Sequence, residues 1–114
     1  MKFLVTIFID EKEEAAYGAS DWARLDAGYA DFYKTATDKG YTVEGGALMP
    51  PSSGRTLRVR AGQAMVTDGP FGETKEWIGG YFVIDAPRFE DVVSVCRLMP
   101  GAQSNAVEIR ALVI

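Results

Sequence analysis

Three features of the sequence predict an α+β domain: an opening run that is apolar on both alternating faces, two segments of helical period, and a block of short strands between them. Phe3 to Ile9 (FLVTIFI) suits a central strand covered on each side better than a strand with one wet face. After the acidic stretch Asp10 to Glu14, Ser20 is the expected N-cap of a helix carrying Trp22, Leu25, Tyr29, Phe32, Tyr33 and Ala36 at three- and four-residue intervals. That stripe is read as core, Trp22 included, and Gly40 after Lys39 supplies the left-handed residue that closes the helix.

Tyr41 to Met49 reads as a strand weakened by Gly45-Gly46, and Pro50 to Gly54 as a loop. Arg55 to Arg60 and Ala64 to Thr67 form a hairpin through Ala61-Gly62-Gln63. Tyr81 to Asp85 is the next strand, reached through Gly79-Gly80. Pro87 is expected at a first helical position, with Phe89, Val92, Val93, Cys96 and Met99 as the buried stripe and Pro100-Gly101 as the stop. Ala106 to Ile114 is the closing strand. Strand, helix, strand block, helix, strand, with no break in composition, predicts one domain over residues 1–114: a ferredoxin-like split βαβ antiparallel sheet with both helices on one face. Apolar residues on both faces of the first and last strands call for a second sheet, and hence a homodimer packed sheet to sheet.

Composition narrows the chemistry. Hydrophobic residues at 47% and charged residues at 25% are ordinary for a folded domain. The apolar opening run is far shorter than a membrane span and lacks a leader's cleavage site, so no membrane association is expected. A lone cysteine, Cys96, argues for a cytoplasmic protein. A net charge of −4, with seven acids between Asp10 and Asp31, disfavours nucleic acid. The chain contains no histidine, which removes Ser-His-Asp and Cys-His mechanisms and the commonest transition-metal ligand. Neither a metal nor another cofactor is expected. Acid-base work falls to carboxylates, Lys, Tyr or water.

The run Asp68-Gly69-Pro70-Phe71-Gly72-Glu73-Thr74-Lys75-Glu76-Trp77-Ile78-Gly79-Gly80-Tyr81 holds the densest set of ionisable groups beside a turn. Asp68 and Glu73 are the candidate proton carriers, and Arg58, Lys75, Trp77, Tyr81 and Arg110 the candidate substrate contacts, since a guanidinium clamps a carboxylate or phosphate bidentately. Structural readings stand beside these. Asp68 suits an Asx turn, the charged residues suit a solvated surface, and Glu108 suits an ion pair with an Arg at a subunit interface. No phosphate-binding loop follows Gly79-Gly80, because no helix and no Lys-Ser/Thr come after it.

The same run resembles the signature of YCII-related proteins in their DGPF subgroup: Asp68 to Phe71, Glu73, Lys75-Glu76 and Gly79-Gly80-Tyr81 match its pattern. So do Met1-Lys2-Phe3, Gly40, Gly46-Ala47-Leu48, Thr56 with Arg58, and Glu108-Ile109-Arg110; Ala111 departs, standing where the pattern has Pro. The resemblance implies a ferredoxin-like fold of the dimeric α/β-barrel superfamily. It names no reaction. Other YCII-related proteins resemble muconolactone isomerase and have a proposed His-Asp site, which this chain lacks the His to build. Beside a structural dimer whose motif is purely a folding element, two functions are therefore expected as alternatives. One is binding of a small anionic metabolite, with carboxylate-based chemistry of isomerase or lyase type. The other is a non-catalytic regulatory partner of an extracytoplasmic-function sigma factor, implied by the genomic setting of the subgroup.

Overall fold

A computed structural model describes residues 1–72 and 74–113. Its elements are β1 (Lys2–Asp10), α1 (Glu11–Ala15), α2 (Ala19–Asp38), β2 (Thr42–Ala47), β3 (Arg55–Arg60), β4 (Gln63–Asp68), β5 (Glu76–Asp85), α3 (Phe89–Cys96), α4 (Pro100–Ser104) and β6 (Ala106–Ala111). Four strands form an antiparallel sheet in the order β2-β5-β1-β6, while β3 and β4 pair as a separate ribbon. This is the expected ferredoxin-like arrangement, with the hairpin inserted between β2 and β5.

Phe3, Val5 and Ile7 of β1 point to the helical side, where Ile84 on β5, Phe32 and Ala36 on α2, and Val92, Val95 and Cys96 on α3 close the core. Each large side chain fully buried there contributes about 1.5–3 kcal/mol. Burial also pushes the Cys96 thiol up to about 12, so the single cysteine is an inert core residue. The outer face is wetter than the sequence suggested. Strand β6 turns Val107, Ile109 and Ala111 inward and presents Glu108 and Arg110 to solvent, so it is apolar on one face only, as suits its place at the sheet edge.

The helix boundaries shift for local reasons. Asp10, the first residue of the acidic stretch, caps α1: its Oδ1 accepts from the backbone N–H groups of Lys12 and Glu13. Helix α2 starts at Ala19, not after Ser20, because Asp21 reaches back to accept from the Gly18 N–H. Its end is as expected, with Gly40 at φ 85°. Pro87 precedes the helix instead of starting it, since Asp91 accepts from the Arg88 N–H and makes Arg88 the cap. Phe89 and Val93 are exposed, and Val95 takes the buried place given to them. Pro100 opens α4 rather than stopping the previous helix.

Strand β5 begins five residues earlier than Tyr81. Phe8 pairs with Ile78 and Ile7 with Gly80, so Gly79 is an extra residue bulged out of the ladder. A Cβ on Gly79 would stand 2.6 Å from Ile9 Cγ2, and glycine is what lets the strands close. The glycines that look like a strand breaker are the centre of one.

The Asp68-Gly69-Pro70 corner is held at the base of the ribbon. The Gly69 N–H donates to Gly54 O at 2.7 Å, and the Thr56 hydroxyl donates to Gly69 O at 2.9 Å. Gly69 has φ 89°, the left-handed backbone expected for it, and open space where a Cβ would point. Gly69→Ala should therefore cost backbone strain alone, about 1 kcal/mol, measured as a lower midpoint in chemical denaturation. A cost near zero would remove the steric reason for glycine.

Candidate functional site

The sheet floor is nearly bare where Ala47, Gly79 and Gly80 meet at one end, and the first turns of α2 pass over it without touching down. A cleft of about 280 Å³ results, walled by β1, α1, α2 and α4. Ile7, Ile9, Leu25 and Phe82 make its apolar surface, and Glu14, Tyr17, Trp22, Asp26 and Tyr29 bring polar atoms to it. Trp22 is not core: it is 44% exposed at the rim and stands edge-on to Tyr17, with ring centroids 5.3 Å apart.

Asp10 lies at the cleft end of β1 and is only 9% exposed. Both of its hydrogen bonds go to Oδ1, and among the described residues none reaches Oδ2. One turn along α1, burial raises the Glu14 carboxyl above its ordinary value, and the neighbouring charge of Glu11 adds to the effect. The Tyr29 hydroxyl accepts from the Gly101 N–H at 3.2 Å. Burial, then the negative fields of Glu14 and Tyr17, raise its pKa against that hydrogen bond, which keeps it a donor at neutral pH. Gly101 is required here, because a Cβ would come 2.6 Å from Ile7 Cγ2 and 2.8 Å from the Tyr29 oxygen. The cleft thus brings a carboxyl group whose pKa is raised to the same space as a phenol held by a backbone N–H, and among the described residues no Lys or Arg lines it.

Those of the singled-out residues that the structure describes lie elsewhere and do not converge. Asp68 ends β4 with its side chain 96% exposed; its partner is Arg55 across the ribbon, Nε to Oδ1 3.9 Å. Among the described residues it accepts no backbone N–H within its turn, and it lines neither the cleft nor the trough beside Phe71. Glu73 lies outside the described residues. Arg58 projects from the ribbon over the Phe71 ring, 4.8 Å from its centroid, and Lys75 is exposed. Trp77 is half-buried in a shallow trough with Phe71 and Met49. Tyr81 and Arg110 are on the sheet's outer face, where Arg110 donates to Glu108 at 2.6 Å within the same strand. Of the described residues of the run, only Glu76 touches the cleft's surroundings, by accepting from Asn105 Nδ2 at 2.9 Å.

Asp10, Glu14 and Tyr29 were not singled out, although traces of them were present. An acid straight after a doubly apolar strand, followed by Glu at helical spacing, is a capped turn at a strand end. Gly-Gly inside a strand marks a place where side chains are excluded.

Raised above its ordinary value of 4.5, Glu14 holds a proton in the folded state that the unfolded chain has released. Stability from this source is complete below that value and is lost as pH rises through the folded value. Glu14→Gln should remove the loss, so its melting temperature should gain on the wild type as pH rises above 4.5. Parallel curves would show that Glu14 titrates freely.

A family model for the YCII-related domain matches residues 1–113. The chain is also similar to an uncharacterised protein, R00369, of Rhizobium meliloti (strain 1021), 27% identical over 116 residues that cover 100% of this chain and 94% of the relative.

Proposed function

The chain belongs to the YCII-related domain family, and from that premise we propose that it binds a small molecule in the cleft between α1, α2 and the sheet, with Glu14 and Tyr29 as its proton-exchanging groups. The observation that carries this is the meeting of Asp10, Glu14 and Tyr29 on one concave, largely apolar space. Proton transfer of isomerase or lyase type fits the pair, with Glu14 moving the proton and Tyr29 donating to an oxygen that gains charge. An anionic metabolite, the expectation built on Arg58, Lys75 and Arg110, needs cations that the lining of this cleft lacks. The proposal includes the DGPF subgroup, read from Asp68 to Tyr81, and a cytoplasmic setting, read from the single cysteine. No described helix is long and apolar enough to cross a membrane. Association with a sigma factor draws on the resemblance alone, and no described surface favours it.

Screening metabolites by thermal shift tests the reading, with Ala47→Phe as the control. Ala47 is at the exposed end of an edge strand, so a ring there fills the cleft mouth without entering the core. A ligand at a hundred times its Kd stabilises the wild type by about 2.7 kcal/mol. That gain should vanish in Ala47→Phe. An equal shift in both proteins, or no ligand from a broad screen, would overturn the proposal.

The same proposal makes the protein a homodimer. The outer face leaves Leu4 and Tyr81 exposed among Lys2, Glu44, Glu108 and Arg110, both signs of charge together, as a face that meets its own copy about a two-fold axis requires. The radius of gyration, 16.0 Å, exceeds the about 13 Å of a compact chain this long, and the thinnest dimension is 17 Å. A second sheet would thicken that slab. Light scattering should give twice the 12.4 kDa chain mass, and Leu4→Asp should return it to one chain. A monomeric wild type at tens of micromolar would exclude the dimer.

A further inference from the structure

We propose that the β3-β4 ribbon is an arm that clasps a second copy of this chain, an inference that rests on the reading of the protein as a homodimer and extends it to a second surface. Every residue of β4, and every residue of β3 but Thr56, is exposed. An isolated two-stranded ribbon is marginally stable at best in water, and one with an apolar face is held by whatever covers that face. Cross-strand pairing sets Leu57 against Val66 and Val59 against Ala64 on one side, while Arg58 with Met65 and Arg60 with Gln63 take the other. Leu57, Val59 and Val66 are each more than half exposed, and no described part of their own chain covers them.

Three observations commit that face to a second copy. It is continuous with the outer face of the sheet: Leu57 and Ile78 line one trough, and Ile78 pairs with Phe8 on the outward row of β1. Its charges, Arg55 and Asp68, are opposite in sign and 3.9 Å apart at the base of the ribbon, so the face selects neither an acidic nor a basic partner and matches the mixed charge of the outer sheet face. The sheet face by itself is also too small. Its outward rows hold fewer than the about 20–30 residues that a standard interface takes from each side, and Lys2, Glu44, Asp85, Glu108 and Arg110 make it polar. The ribbon runs about 20 Å and supplies the missing apolar area.

Sedimentation velocity on the full chain tests the arm through two adjacent residues of β4 that face opposite ways. Val66→Asp should raise the dimer dissociation constant about tenfold or more, while Met65→Asp should leave it within about twofold. Both positions are exposed in the single chain, so neither substitution enters the core. Amide hydrogen exchange gives a second readout that needs no change in the ribbon. The β3-β4 ladder should be protected in the dimer and exchange about tenfold faster or more once Leu4→Asp or dilution leaves a single chain. A dimer that Leu4→Asp dissociates and Val66→Asp does not, or that Val66→Asp and Met65→Asp weaken equally, overturns the arm and leaves the sheet-to-sheet dimer standing. Ladder protection that persists in the single chain means that the ribbon is covered by its own chain or stable alone, and this also overturns the arm. A wild type that sediments as a single chain overturns the dimer itself, and the arm with it.

Discussion

The close approach of β1 to β5 at Gly79 governs the rest of this structure. Ile9 occupies the space a side chain at Gly79 would need, and the bulge there realigns the pairing between Ile7 and Phe8. Below it the ladder runs in register and the inward residues Phe3, Val5 and Ile84 build a dense core. Above it the floor loses its side chains, and α2, held at the distance that Phe32 and Tyr29 set, cannot follow the sheet down. One steric requirement closes the sheet and opens the cleft.

The ends of secondary elements then place the polar groups. Strand β1 stops at Asp10 because its side chain turns back to cap α1, and that short helix swings Glu14 over the opening. Helix α4 enters beside Ile7 through Gly101, whose N–H orients the Tyr29 hydroxyl. Glu76 steadies Asn105 at the rim. Each group at the cleft is therefore positioned by a backbone feature, a cap, a bulge or a tight glycine, and its orientation follows from the fold itself.

The charged ribbon is a different kind of element. Its face carrying Leu57, Val59 and Val66 is uncovered, and Arg55, Arg58 and Arg60 give it a basic character opposed to the acidic region from Asp10 to Asp31. The Asp68 to Gly72 corner anchors the ribbon through backbone hydrogen bonds of Gly69. The motif that stands out most in the sequence thus shapes the chain around the sheet, while Asp68 itself points into solvent.

The fold was legible because it rests on patterns that survive in one dimension: alternation in Phe3 to Ile9, helical spacing from Trp22 to Ala36, and glycine at the left-handed positions Gly40 and Gly69. Absence of histidine also bounded the chemistry without any coordinates. The cleft was not legible, because it is made of residues far apart in the chain that no spacing rule connects: Asp10 and Glu14 from the start, Tyr29 from mid-helix, Gly79 and Gly80 from β5, Gly101 from α4. Local density of charge drew attention to Asp68 through Glu76, yet density along a chain says nothing of which way a strand turns its alternate side chains. Sheet register decided that, sending Tyr81 and Arg110 to the outer face and leaving the inner one to carboxylates and aromatic rings. Composition and periodicity determine which elements form and which surface each buries; only the packing of α1, α2 and α4 over a glycine floor determines where a polar group meets an empty space.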